Sequence, residues 1–376
     1  MKTILHIVKK EFLQFRRDPK MFAMILISPV VQLIFLGYAA NFDVNIVHTA
    51  IFDQDKTITS RQFIEKFEGS GYFEMDYYVD NYKTLQNLID NHKIIFGLVI
   101  PKDFEKKIER NETAPVQAVF DGSDGNTASI SAGYVQLIVS NYSKSVVTDF
   151  LNKTGIKIIP AGNVESKVRV WYNPELKTRN FMVPGIVGLL LMIVTLILTS
   201  LAIVKEKELG TLEQLIVTPI KSYQLIIGKL IPFGLLGFVA EIIVLTAMVF
   251  VFNIPVRGSL LFLFFTTSLY ILSTLGLGLF VSTISKTQQQ AMMLAIFVVM
   301  MPMIYLSGFA FPIENMPKII QYITYVIPLR YFMVIIRGII LKGIGFSDLW
   351  FETTLLFVIG IVIIFLSSLR FKKRLD

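Results

Sequence analysis

The chain has 376 residues, 53% hydrophobic and 17% charged, with no cysteine, a net charge of +8 and a mean hydropathy of +0.61. Soluble domains run at about 45–50% apolar and about 25% charged, so a disordered chain, a disulfide scaffold and an ordinary soluble enzyme are excluded. Residues 41–180 hold 16 Lys and Arg against 18 Asp and Glu, so the positive excess lies at the ends of apolar runs, where a multispan membrane protein carries it and a nucleic-acid binder does not.

In chain order, residues 3–16 place Ile4, Ile7, Val8, Phe12 and Phe15 on one helical face. Lys9, Lys10, Arg16 and Arg17 fall largely elsewhere, so residues 1–20 are expected to form an amphipathic helix in the cytoplasmic interface. Asp18-Pro19 breaks it. The run carries too many charges for a cleavable signal peptide. Crossing a ~30 Å hydrocarbon core takes about 20 apolar residues. Met21–Ala40 is the first such span.

Residues 41–180 are too long and too patterned for a loop. Thr49–Phe52, Phe73–Val79, Ile94–Ile100, Val116–Phe120 and Val168–Trp171 read as strands. Thr57–Phe67, Tyr82–Asn91, Lys102–Glu109 and Ala128–Leu151 read as helices. The alternation predicts a small α/β domain. Asp121-Gly122 and Asp124-Gly125 are turn chemistry and lack the spacing of an EF-hand.

Five further spans follow within 181–376: Phe181–Val204, Leu230–Ile254, Ser259–Ile284, Ala291–Phe311 and Thr353–Leu369. Ile319–Leu341 is also apolar but holds Pro328, Arg330 and Arg337. It reads better as one or two re-entrant or interfacial helices, within 314–342, than as a span. The expected fold class is therefore a polytopic α-helical membrane protein with six transmembrane helices, seven being the alternative, and an inserted extracytoplasmic α/β domain. Basic residues before the first span and after the last put both termini in the cytoplasm of a prokaryotic cell (inner) membrane. Lys318, Arg330, Arg337 and Lys342 then conflict with that rule on the outer side.

No P-loop occurs; Gly228-Lys229 lacks its upstream glycine. Zincin and nucleophile-elbow motifs are also absent, and the three histidines, His6, His48 and His92, are far apart. No catalytic residue, cofactor site or metal site is expected in this chain. Glu241 is the one ionisable group well inside a span, which makes it a pathway candidate by default; Arg330 is the other.

The segment after the second span, within 205–221, is the most informative. Alternating charges from Lys205 to Glu208 carry the helix out of the apolar region. Gly210 suits a helix end. Thr211 with Gln214 fits a capping box that opens a short helix with Leu212, Leu215 and Ile216 on one face. Thr218-Pro219 fits the start of the next helix. The product is a short amphipathic helix held off the membrane, either a tight interfacial turn or a docking element for a cytoplasmic partner.

The stretch Glu206-Lys207-Glu208-Leu209-Gly210-Thr211-Leu212-Glu213 with Thr218-Pro219 resembles the E-x-E-x-G-T-x-E … T-P segment of the type-2 ABC export permeases. Arg16-Arg17-Asp18-Pro19, Ser307-Gly308-Phe309 with Phe311-Pro312 and Met316-Pro317, and Pro328-Leu329-Arg330-Tyr331 are similar too. The whole chain resembles the half-transporter subgroup with a large external domain between helices one and two. The resemblance implies a homodimer or heterodimer of permeases in a lipid membrane, with ATP and Mg on separate P-loop ATPase chains. It makes 205–221 the coupling helix, with Glu206, Glu208, Gly210, Thr211, Glu213 and Pro219 as the coupling set. The cargo implied is a drug, lipid or ion. Two other classes remain open on the residues alone: an ion-gradient-driven transporter or channel centred on Glu241, and a membrane-anchored sensor.

Overall fold

The computed structural model describes residues 2–40, 46–154, 171–173, 177–210 and 221–370. The chain divides into two compact units, one of Met1–Asn41 with Arg169–Asp376 and one of Phe42–Val168.

Helix α1 is Lys2–Arg17. It stops at Asp18, and Pro19 opens α2, Pro19–Phe22, as proline at a first helical turn allows. A π-helical stretch, Ala23–Ile27, leads into α3, Ser28–Ala39. The apolar helix Ala23–Ala39 has 17 residues, shorter than the Met21–Ala40 span expected. The correction at α1 concerns its face: Ile7 and Glu11 are buried there.

The Phe42–Val168 unit follows the expected alternation. Its elements are β1 (Val47–Asp53), α4 (Ile58–Glu68), β2 (Phe73–Tyr78), α5 (Tyr82–Asp90), β3 (Phe96–Ile100), α6 (Phe104–Glu109), β4 (Gln117–Phe120) and α7 (Gly125–Thr154). The sheet order is β2-β1-β3-β4, with β1 parallel to β2 and β3, and β4 antiparallel to β3. Helices cover both faces, so β1 is buried at Val47 and at each position from Thr49 to Phe52, as a strand inside a parallel sheet must be. Phe63, Phe67, Phe96 and Phe104 form the core of one face; Phe52, Leu85 and Ile94 form the other. Thr57 and Ser60 cap α4 reciprocally, each side chain bonding the other's backbone N–H. Of the fifth expected strand, residues 168–170 lie outside the described residues, and Trp171 is not in a strand.

The other unit continues with α8 (Thr178–Glu208), α9 (Ser222–Phe252), α10 (Leu260–Ile284) and α11 (Gln288–Met293). A π-helical stretch, Leu294–Met300, joins α11 to α12 (Met301–Leu306). Then come α13 (Lys318–Thr324), α14 (Pro328–Arg337), a third π-helical stretch, Gly338–Lys342, and α15 (Phe346–Arg370). Five of these helices, 178–208, 223–252, 260–284, 288–306 and 346–370, are long and apolar enough to cross a membrane. α9 starts at Ser222, well before the expected Leu230, and this brings Lys229 inside the helix.

α8 is the axis of this unit, buried nearly without break from Val183 to Ser200. Hydroxyls along it satisfy themselves locally: Thr195 and Thr199 donate to the carbonyls four residues back, 2.7 Å each. Contacts order the helix ends. At one end α1 meets α8 and α9, Lys207 meets Ser285, and Arg370 lies over Phe280. At the other, Tyr38 packs on Phe252 and Phe262 on Phe346.

The α13–α14 pair bends by 81°. Arg337 Nη1 donates to the Gly308 carbonyl at 3.1 Å, and the Arg257 N–H to the Ile340 carbonyl at 3.2 Å. The chain therefore enters and leaves this pair at the same end of the bundle, the Phe252 end. Between those points Phe332 stacks on Tyr270 at 4.1 Å, and the Tyr270 hydroxyl donates to the Gly188 carbonyl at 3.2 Å. The pair thus reaches into the bundle to the depth of Gly188 before turning back.

Candidate functional site: the charged end of α8

α8 leaves its apolar stretch through Lys205, Glu206, Lys207 and Glu208 and ends there. Gly210 follows with φ +69°, a left-handed position that favours glycine. The Leu209 N–H reaches the Lys205 carbonyl at 3.0 Å and the Gly210 N–H that of Lys207 at 3.2 Å, closing the helix end. No described residue lies within 4 Å of where a Gly210 Cβ would be, so among these residues glycine serves backbone shape.

The four charged residues point in different directions, and each holds a different part of the unit. Glu206 turns inward: Lys229 of α9 sits 2.6 Å from its Oε2, and Lys10 of α1 ion-pairs and hydrogen-bonds with its Oε1. Glu11 completes the set, 3.3 Å from Lys229 and 3.6 Å from Lys10. Lys229 is 1% exposed, and Glu11 and Glu206 are 7% each. Two cations and two anions balance, as a buried cluster requires. Burial works against the charge on Lys10, but its bond to Glu206 and the Glu206 and Glu11 charges outweigh this and raise its pKa. Gly228 allows the approach, since a Cβ there would meet Ile7 of α1 at 2.8 Å. Lys205 pairs with Asp18 at 3.5 Å. Lys207 donates to the Ser285 carbonyl at 2.9 Å, and Gln288 donates to Glu208 at 2.7 Å. One helix end thus fastens α1, α9 and the α10–α11 connection at the doorstep of residues 211–220.

Of the expected coupling set, Glu206, Glu208 and Gly210 meet here. Thr211, Glu213 and Pro219, with the short helix expected there, lie outside the described residues. Glu241 is buried in α9, 1% exposed, beside Thr267 of α10. Among the described residues no cation pairs with it. Arg330 is engaged elsewhere, hooked around the bend of the α13–α14 pair: Nη1 bonds the Thr324 hydroxyl and the guanidinium lies 4.0 Å over Tyr325.

Sequence reasoning missed Glu11 and Lys229. Glu11 sits four residues after Ile7 on the buried face of α1, and Lys229 is flanked by Ile226, Ile227, Leu230 and Ile231. A lone acid in one apolar face and a lone base in another was the available signal. The only group of side chains able to hold a metal among the described residues is His48, Glu74 and Asp76, all exposed, with ligand atoms within 4.8 Å of one another.

Residues 19–369 match the family described as ABC-2 family transporter protein. The chain is 36% identical over 368 residues to the probable multidrug ABC transporter permease YbhS of Escherichia coli K12, covering 98% of this chain and 96% of that one. It is 35% identical over 344 residues to YbhR of the same strain, of the same description, covering 92% and 91%. The inner membrane transport permease YhhJ of that strain is 25% identical over 378 residues, covering 100% and 98%. A bundle of apolar helices gathered at one end by a charged helix terminus, matched along nearly its whole length by transport permeases, belongs to the ABC-2 family transporter proteins and is a permease subunit of an ABC transporter.

Proposed function

We propose that this permease is the membrane half of an exporter, that its energy comes from a separate P-loop ATPase holding ATP and Mg, and that two permease chains pair around the pathway. Both termini and residues 211–220 are cytoplasmic in this reading, the Phe42–Val168 unit is extracytoplasmic, and the α13–α14 pair is re-entrant from the outer side. The observation that carries the reading is the charged end of α8. A displacement of residues 211–220 pulls on Glu206 and Glu208. Through Lys229, Lys10 and Gln288 it then reaches α9, α1 and the start of α11 together. Salt bridges with an excellent fit and little solvent transmit such a displacement without slipping.

The acids of 205–221 then hold the lever inside the permease as much as they meet the ATPase. Glu206 is committed to Lys229 and Lys10. Exposed Glu208, with Thr211 and Glu213, faces the partner in this reading, and Gly210 and Pro219 set the turns. The exposed apolar row Ile227, Ile231, Leu235 and Val239 on α9 meets lipid or the second permease. The cargo class is taken from the names of the two relatives near 35% identity: organic drug-like compounds.

The test is reconstitution of the full permease with its ATP-binding chain in proteoliposomes. Deleting 211–217 is expected to abolish cargo-stimulated ATP hydrolysis and efflux while the permease still inserts. Undiminished efflux from that variant overturns the coupling role. Efflux by the permease alone, under an ion gradient, without nucleotide and abolished by Glu241→Gln, favours the gradient-driven alternative.

A further inference from the structure

The end of the bundle remote from α1 holds a cavity of about 320 Å³ between the start of α8, the end of α9 and the Gly338–Lys342 stretch. Its rim carries three cations, Lys177, Arg179 and Arg257, and no carboxylate among the described residues. Its floor is apolar, with Phe252, Ile254 and Leu341. Arg179 makes no hydrogen bond or ion pair among the described residues, and its Nε is buried without a partner. Arg257 spends one nitrogen on the Leu341 carbonyl, 3.2 Å away, and its others make no hydrogen bond among the described residues. A buried guanidinium nitrogen left without an acceptor costs free energy unless a ligand supplies one. The backbone around the cavity is strained as well: Tyr172 and Asn253, both lining it, have φ of 69° and 55°. Strain of this kind gathers at ligand sites.

The geometry points to a binding site for the phosphate headgroup of an anionic phospholipid. A guanidinium fork matches phosphate oxygens two at a time, which no carbonyl in the site can do. Free phosphate shares that chemistry, but it has no use for an apolar floor. The surroundings extend the floor outward: Phe250 at 78% and Leu261 at 82% exposure lie two and four residues from lining residues in sequence and offer a track for acyl chains. On the proposed orientation, the site gives Arg179 and Arg257 a role on the side where the positive-inside rule expects few cations. Arg330 and Arg337, by contrast, are occupied by hydroxyl, carbonyl and ring partners.

The experiment places the full chain in nanodiscs of phosphatidylcholine with a minority of phosphatidylglycerol, extracts it gently and counts the lipid retained by mass spectrometry. Phosphatidylglycerol is expected to be enriched over phosphatidylcholine, and Arg179→Gln and Arg257→Gln are each expected to lower that enrichment about tenfold. Arg370→Gln, at the opposite end, is the control and leaves it unchanged. Gel filtration and melting of each variant separate loss of the site from loss of fold, and Arg257, exposed at the rim, keeps the test open should Arg179→Gln misfold. Equal retention of the two lipids, or enrichment indifferent to both arginines in folded protein, overturns the proposal. Saturable binding of inorganic phosphate that Arg179→Gln abolishes, with no lipid preference, also overturns it and assigns the cavity to the free anion.

Discussion

The two ends of the helical unit treat charge in opposite ways. At the α1 end, acids and bases meet each other: Lys229 and Lys10 with Glu206 and Glu11, Lys205 with Asp18. Toward the far end Arg330, Arg337 and Arg257 meet carbonyls, hydroxyls and ring faces, and Arg179 makes no hydrogen bond or ion pair among the described residues. A charge-balanced set of ion pairs holds helices in a fixed relation. Arginines bonded only to neutral acceptors keep their charge in play. The proposed lever lies at the first end, and the proposed anion site at the second.

Removing Lys229 tests that contrast most sharply. Lys229→Met leaves two buried acids with one lysine and is expected to cost about 3–5 kcal/mol, read as a fall in the melting temperature of the full chain in detergent. Adding Glu206→Leu leaves Lys10 and Glu11 as a balanced pair and is expected to recover most of the loss. If the double variant is no better than the single, charge balance is not what holds the cluster.

At the other end Arg330→Gln should cost about 2 kcal/mol through its charged hydrogen bond and its stacking on Tyr325. A fall in the melting temperature of the full chain in detergent is the readout, and Arg330→Lys, lacking a planar face, should recover only part of the loss. A full rescue by lysine would reduce the bend to simple charge.

Gly210→Ala is expected to cost about 1 kcal/mol, since a Cβ in left-handed backbone is strained even where the space is open. Asparagine, which tolerates that conformation, should cost less. Equal losses for the two would mean that side-chain contacts decide the position.

The smallest effect lies in the α/β unit. Asp121 is held at about 2, first by hydrogen bonds from Ser123 and then by His92. Its carboxyl is lowered in the fold, so the stability it adds is present above the ordinary 3.8 and fades as pH falls toward 2. Asp121→Asn should therefore melt slightly lower than the parent at neutral pH, with the gap closing only in strong acid. A gap that changes between pH 5 and 8 would assign it to His92 instead.

Much of this was legible in the chain. Strand and helix periods in 46–154 read nearly to the residue, because each element there carries its own turn and capping chemistry. The axial helix and its glycine stop were equally readable. What periodicity conceals is pairing at a distance. Lys229 looks like the last charge before a span, and Glu11 like a blemish on an apolar face, until α1 crosses α9 and each becomes the other's partner. Arg330 looked like a pathway residue because charge in an apolar run is costly. Its partners, Thr324 and Tyr325, are neighbours whose position depends on an 81° bend that no hydropathy window reports.

The three π-helical stretches, Ala23–Ile27, Leu294–Met300 and Gly338–Lys342, fall outside α8, α9, α10 and α15. A π turn holds one residue more than an α turn, and it can be passed along a helix by exchanging hydrogen bonds one at a time. The four regular helices behave as staves, and the other three carry slack that can be taken up by rotation. In the proposed mechanism, a pull on the staves can then be taken up as a twist of the remaining helices about their own axes, without any helix having to break.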